Sequence, residues 1–369
     1  MEEAPKKERK PMKKGLKIFL IVLSSVFAFI FTVVGGFLIF AAATELKVAD
    51  KEKVLLYGEG SKELRTTETI KVMSWNVGYC GLSEENDFFM DGGTKVRATS
   101  LQKVQANAAA IKEEIATNNP DVVLLQEVDY NSSRSYKYNQ VNYFRKELNK
   151  SVYESSFALN YKAGYVPYPI PTIGKVESGI LSFSKYDVTD ATRVALPCPF
   201  SWPLSMVNLK RCLLVNRVPI IDNGKELVIV NLHLEAYDEG EGKIAQTKML
   251  KNFIESEYNK GNYVIAGGDF NQSFSQDDIS AYPRYGNNWS SPIIDTSMFD
   301  AFATFYNDRT HPTCRLLNKP YKGANPDTFQ YYMLDGFICT KNLSVTVETL
   351  DLHFVNSDHN PVMLTVNFI

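Results

Sequence analysis

Histidine and cysteine are scarce, with four and five copies in 369 residues. The cysteines (Cys80, Cys198, Cys212, Cys314, Cys339) lie far apart, without a CxxC pair or zinc-type spacing, so no metal knuckle is indicated. Their odd number leaves at least one thiol outside any intramolecular pair. Cys198 and Cys212 are candidates for a bridge across the proline-rich stretch between them; buried, reduced thiols acting as small apolar residues are the alternative. Charge of one sign is also missing: the formal net charge is −2, so no basic composition announces a nucleic-acid partner. The chain has no internal repeat and no low-complexity tract. With 44% apolar, 22% charged and 12% aromatic side chains, it is not disordered, collagenous or a small disulfide-stapled domain.

Charge is absent altogether from residues 18–43, IFLIVLSSVFAFIFTVVGGFLIFAAA. At ~1.5 Å rise per residue, that helix would reach about 39 Å, enough to cross a hydrocarbon core of ~30 Å with some tilt. It is apolar all round, unlike the amphipathic helix of a soluble domain. Residues 1–17 carry seven Lys/Arg against three Glu, while the rest of the chain carries 33 basic and 39 acidic residues. The positive-inside rule then keeps the N-terminus cytoplasmic and exports the chain beyond the helix. The competing reading is a cleaved signal peptide ending near Ala41-Ala42-Ala43, although a signal core usually has ~7–15 residues; a catalytic domain left in the cytoplasm is a further alternative. The expected organisation is a basic segment at 1–17, a transmembrane helix at 18–43, a polar juxtamembrane linker at 44–68 and a folded domain at 69–369.

Within the domain, short β-branched runs occur at 70–75, 122–127, 179–184, 213–218, 227–233, 263–267, 334–339, 345–350 and 362–368. Helices are expected at 99–118, stopped by Asn119-Pro120, at 140–150, and at 243–259, with Gly261 just past the end. This mixture predicts an α/β sandwich of two sheets with outer helices. Two stretches rich in proline and aromatics, 161–176 and 195–206, read as long loops.

Polar residues recur where these apolar runs end: Asn76 in MSWN, Glu127 in VVLLQE, His233 in NLH, Asp269 and Asn271 in GDFN, and Asp358 and His359 in SDHNP. Strand ends opening onto loops are where α/β folds build active sites. With Glu177 and Asp335, the set holds five carboxylates, two amides and two imidazoles. Converging carboxylates cannot all ionise without a counter-charge. Mg²⁺ or Mn²⁺ suits such an oxygen-rich set, whereas zinc would want more His or Cys. A dication with His and Asn donors supplies what phosphoryl transfer needs. Each element alone also reads as an ordinary strand tip or Asx turn; the ordered combination is what carries the inference.

That order, WN, QE, NLH, GDFN, LDG and SDHNPV, resembles the endonuclease/exonuclease/phosphatase superfamily over about residues 69–369. The resemblance implies a four-layer α/β/β/α sandwich of two mixed sheets and a Mg²⁺-dependent phosphodiesterase. Glu127 looks like the principal metal ligand, with Asn76 beside it and Asp358 completing the metal region. Asp269 is similar to the residue that orients or deprotonates water, and Asn271 to a transition-state donor. His359 would bind the scissile phosphate, held by Asp335, and His233 would be the general acid, with Glu177 as its carboxylate partner. Arg211, after Lys210, falls where the family often has a basic substrate contact, and Gln246 where it often has Gln. Gly336 departs from the aromatic common after the Asp335 position.

The expected substrate is a nucleic acid or a phospholipid, with no obligate protein partner evident. An inactive extracellular binding module with the same fold is the alternative from another class.

Overall fold

The computed structural model of the protein describes residues 12–148, 152–236, 238, 240–277 and 279–369. It forms two units, Met1–Thr44 and Glu45–Ile369. The first contains one helix, Lys14–Thr44, whose most apolar window has a mean hydropathy of 2.7, long and apolar enough to cross a membrane.

The second unit is built on two seven-stranded sheets. One runs, edge to edge, through Lys51–Lys53, Asp190–Ala195, Cys212–Pro219, Glu226–His233, Tyr263–Asp269, Asp335–Thr340 and Ala303–Tyr306. The other runs through Leu343–Thr349, Val362–Phe368, Ile70–Asn76, Val122–Asp129, Gly174–Ser184, Glu154–Val166 and Leu56–Tyr57. Both are mixed: the first has a parallel pair at Glu226–His233 with Tyr263–Asp269, the second at Ile70–Asn76 with Val122–Asp129.

The layers result from side-chain alternation along each strand. Ile70, Val72, Val122 and Leu124 face Leu227, Ile229, Ile265 and Phe337 of the other sheet, closing the central core. The intervening residues Val228, Val230, Val264 and Ala266 turn outward onto Leu250 and Ile254 of the helix Glu241–Asn259. Met73, Trp75, Val123 and Leu125 turn the opposite way, onto Val104, Ile111 and Phe144 of the helices Leu101–Asn118 and Gln140–Leu148. The result is the four-layer α/β/β/α sandwich.

All nine expected strand segments are present, and so are the three domain helices; the expected end of the second, at 150, lies outside the described residues. Asn119 ends its helix in the left-handed conformation, φ 47°, its N–H bonded to the Ile115 carbonyl, as the Asn-Pro pair suggests.

Two expectations need correction. From residue 45 on, the stretch expected to be a linker, 44–68, belongs to the domain: Lys51–Lys53 extends one sheet, Leu56–Tyr57 the other, and Leu64 is buried in the central core. Short strands with little alternation give no periodic signal, and distant partners order them. The expected loop at 161–176 is largely a β-hairpin, the strands Glu154–Val166 and Gly174–Ser184 joined across 167–173. By contrast 196–211 is irregular, with one 3₁₀ turn at Leu204–Met206.

Candidate active site

Toward one end of the sandwich the face between the sheets changes from apolar to polar. After Ile70 and Val72 come Ser74 and Asn76; after Val122 and Leu124 comes Gln126; after Leu227 and Ile229 come Asn231 and His233. Gln126 Nε2 donates to Asn231 Oδ1 (2.8 Å), and Asn231 Nδ2 to the Ser182 hydroxyl (3.2 Å), a buried network joining the sheets beneath the site.

Register does the next step. Asp269 lies opposite His233 on its parallel neighbour and opposite Asp335 on its antiparallel one. Three residues far apart in sequence therefore stand abreast on one face. His233 Nε2 is 3.5 Å from Asp269 Oδ2.

The other sheet contributes Asn76 and Glu127. Asn76 Oδ1 accepts from the Gly78 N–H (3.0 Å), which aims Nδ2 at Asp269 Oδ2 (2.9 Å), with Glu127 Oε1 at 3.5 Å. Glu127 sits at a break in the pairing with Gly174–Ser184, at φ 55°, so the bulge re-aims its side chain out of the regular alternation. Gly78, at φ 47°, passes so close to Asp358 that a Cβ would lie 2.6 Å from its Oδ1.

The segment 357–360 closes the site. Ser357 Oγ donates to the Asn76 carbonyl (2.8 Å) and Trp75 Nε1 to the His359 carbonyl (2.9 Å). His359 Nδ1 meets Asp335 Oδ2 at 2.7 Å, leaving Nε2 3.8 Å from Asp269 and 3.9 Å from Asp358. The Asn271 N–H, at φ 50°, donates to the Asp269 carboxylate (2.8 Å), and its side-chain amide is anchored on the Leu234 carbonyl (3.0 Å).

The electrostatics reflect this crowding. Burial, with the Asp335 carboxylate beside it, pushes Asp269 up to about 6. Burial, with Glu127 adding, pushes Asp358 up to about 7. Burial, the largest single influence, opposes charge on His359, yet Asp335, Cys314 and Asp269 together outweigh it and hold the ring's pKa well above the usual range. Burial and the Arg211 guanidinium push His233 well below it. Buried acids held up in this way mark a site short of positive charge. Two overlapping groups bring ligand atoms within 4.8 Å of one another and could hold a metal ion: Asp269, Asp335 and His359, and Cys314, Asp358 and His359.

Eight of the nine expected residues thus converge, and Glu177 does not. Its neighbour Ser178 lines the cavity, so alternation turns Glu177 away, where it pairs with Lys175 at 3.2 Å. Arg211 does line the cavity: it is 3% exposed, with Nε 3.6 Å from Glu235, and its Nη1 has no hydrogen-bond partner among the described residues. Gln246 is a positioning residue, accepting from the Glu235 N–H and donating to the Pro197 carbonyl. Lys210 pairs with Glu45 at 3.1 Å. The Gly336 departure is filled from elsewhere: a Cβ there would lie 2.9 Å from the Phe274 ring, which occupies that space.

Three residues had no sequence signal. Arg134 chelates Asp129 (3.2 and 3.0 Å), reaches Glu127 at 3.6 Å and stacks on Tyr79. Arg315 donates to the Leu82, Ser83 and Asn86 carbonyls. Cys314 is grouped with Asp358 and His359. None falls in a motif: Arg134 lies a few residues beyond Glu127 and Asp129, which it contacts, whereas Arg315 reaches carbonyls of a distant segment. The five cysteines are unpaired, Cys198 and Cys212 included.

An acidic, histidine-bearing site between the sheets of an α/β sandwich defines a class of phosphoester hydrolases, and comparison with known proteins agrees. Residues 73–359 match the endonuclease/exonuclease/phosphatase family, and the chain belongs to it; its members are hydrolases acting on phosphoester bonds. The fold is similar to that of an endonuclease/exonuclease/phosphatase from Beutenbergia cavernae (TM-score 0.56, 16% identity, 81% of this chain and 72% of that one). It is also similar to a Bacteroides vulgatus member (TM-score 0.52, 16% identity, 82% and 100%). D. rerio TDP2 complexed with single-strand DNA product is a third (TM-score 0.51, 15% identity, 81% and 100%). No curated protein matches the chain.

Proposed function

We propose that this chain is a membrane-anchored, outward-facing phosphodiesterase that uses Mg²⁺, or Mn²⁺, to hydrolyse its substrate by in-line attack of water. One observation carries the reading: Asn76, Asp269, His359 and Asp335 form a continuous chain of polar contacts linking both sheets, ending in a buried acidic centre.

Glu127, Asp358 and Asn76 would hold the dication, which when bound neutralises charge on the phosphoryl oxygens. Asp269 is fixed by Asn76 and the Asn271 N–H, as a residue that orients water and takes its proton must be. His359, oriented by Asp335, directs Nε2 toward the same space as a phosphate donor. Arg211 Nη1, buried and unpartnered among the described residues, is matched to a non-bridging oxygen. His233 is the proton donor to the leaving group. Arg211 and burial favour its neutral form, and a phosphate seated on Arg211 counters the first of these.

The domain boundaries and topology belong to the same proposal: a basic cytoplasmic segment, the helix near 18–43 as anchor, and an exported catalytic domain. A reporter active only outside the cell, fused to the C-terminus, checks the orientation.

The full chain with Mg²⁺ should cleave bis-(p-nitrophenyl) phosphate. Asp269→Asn should lower kcat by about 10³-fold or more, and EDTA should abolish turnover. Full activity in EDTA or in the variant would sink the reading; metal binding without turnover would instead favour the inactive binding module.

A further inference from the structure

The acidic site is one end of a larger cavity of 350 Å³, within the range of small-molecule pockets. Much of the rest of its wall is apolar, and two clusters contribute to it. One joins Leu82, Phe88 and Leu317; the other joins Leu316, Tyr332 and Leu334 beside Trp289. None has a role in phosphoryl transfer, and apolar surface beside a hydrolytic centre is costly to keep wet.

The two proline-aromatic stretches meet this wall. Ile173 from one and Phe200 from the other line the cavity. Their outer residues stand in solvent: Tyr168 is 72% exposed, Ile170 92%, Trp202 69% and Leu204 59%. Tyr168 packs its ring 6.1 Å from Phe89, whose neighbours Phe88 and Met90 line the cavity. An apolar rim thus continues into an apolar interior.

Charge points the same way. Among the described residues the cavity lining holds three arginines and no lysine, and of these Arg134 is committed to Asp129 and Arg315 to backbone carbonyls. Of the three, only Arg211 keeps a terminal guanidinium nitrogen buried without a hydrogen-bond partner among those residues, against lining carboxylates at Asp91, Glu127, Glu235, Asp269 and Asp358. Such a site accommodates one phosphate. A polynucleotide, whose affinity rests on many phosphate contacts with Lys and Arg, finds few here.

We infer that the substrate is an amphiphilic phosphodiester of the phospholipid type, its single phosphate at the acidic end and its apolar substituent against the Leu82–Leu317 and Leu316–Leu334 walls. This rests on the hydrolase reading above and deepens it. The exposed rings at the rim are the surface through which such a molecule enters from a lipid layer.

The test uses the full chain in nanodiscs with Mg²⁺ and one chromophore throughout: methyl, butyl and octyl p-nitrophenyl phosphate, and thymidine 5′-(p-nitrophenyl phosphate). The expected result is a kcat/KM that rises about tenfold or more from methyl to octyl, carried mainly by KM, with the thymidine ester below octyl. Leu316→Ser should flatten that rise. Where this variant fails to fold, Met90→Ser, at the exposed rim, reads the same ratio. Trp202→Ser should lower turnover of long-chain phospholipid relative to the octyl ester. A methyl ester cleaved with no gain along the series, or a thymidine ester preferred to octyl, overturns the inference and leaves the hydrolase standing. No turnover of any ester overturns the hydrolase reading, and the inference with it.

Discussion

His359 and Asp335 form a close pair in the candidate site, at 2.7 Å and nearly enclosed. Removing the imidazole deletes a donor aimed at the reaction space, while changing the carboxylate leaves the ring in place but frees its orientation. His359→Ala is therefore expected to lower kcat by about 10³-fold or more, and Asp335→Asn by a smaller factor, in steady-state assays on one phosphodiester. Equal losses would mean that Asp335 does more than position the ring. Arg211 belongs to the same scale. Its buried Nη1 makes Arg211→Met a test of phosphate contact, expected to raise KM and to reduce kcat/KM by about 10- to 100-fold.

At the scale of elements, the site depends on turns that only particular residues can make. Gly78 stands at φ 47° with Asp358 Oδ1 within 2.6 Å of where a Cβ would go. Gly78→Ala is expected to destabilise the domain by about 1–3 kcal/mol, read as a lower Tm together with weaker Mg²⁺ binding. A different junction holds the helix Glu241–Asn259 to its sheet. Arg217 on Cys212–Pro219 bonds the Glu257 carboxylate at 2.7 Å, and Lys260 and Asn262 add bonds of 2.8 Å each. Burial opposes ionisation of Glu257, but these partners prevail and bring it down to about 2. A depressed carboxylate contributes stability that is present above its unfolded pKa, near 4.5, and is lost as pH falls toward about 2. Glu257→Gln should accordingly lower Tm at pH 7, with the gap to the parent closing between about pH 5 and pH 2 in thermal melts.

For the molecule as a whole, the acids crowded between the sheets repel one another, and a dication bound between them would relieve that repulsion. Mg²⁺ or Mn²⁺ is expected to raise Tm in step with its concentration, and Glu127→Gln to remove most of that shift. The strands that frame this centre were readable from the sequence because each carries its own alternation, and the acids were readable because they interrupt apolar runs at strand ends. The basic segment and uncharged stretch 18–43 were equally local signals. What the sequence determined by itself was therefore the family, the strands and helices, and the membership of most of the site. Tertiary structure decided the rest: that Glu177 turns away while Ser178 turns in, that a bulge re-aims Glu127, that Arg134 and Cys314 reach the centre, and that the expected linker extends both sheets. Period and propensity act over a few residues, whereas register, bulges and loop closure are settled between segments that meet only in the folded chain.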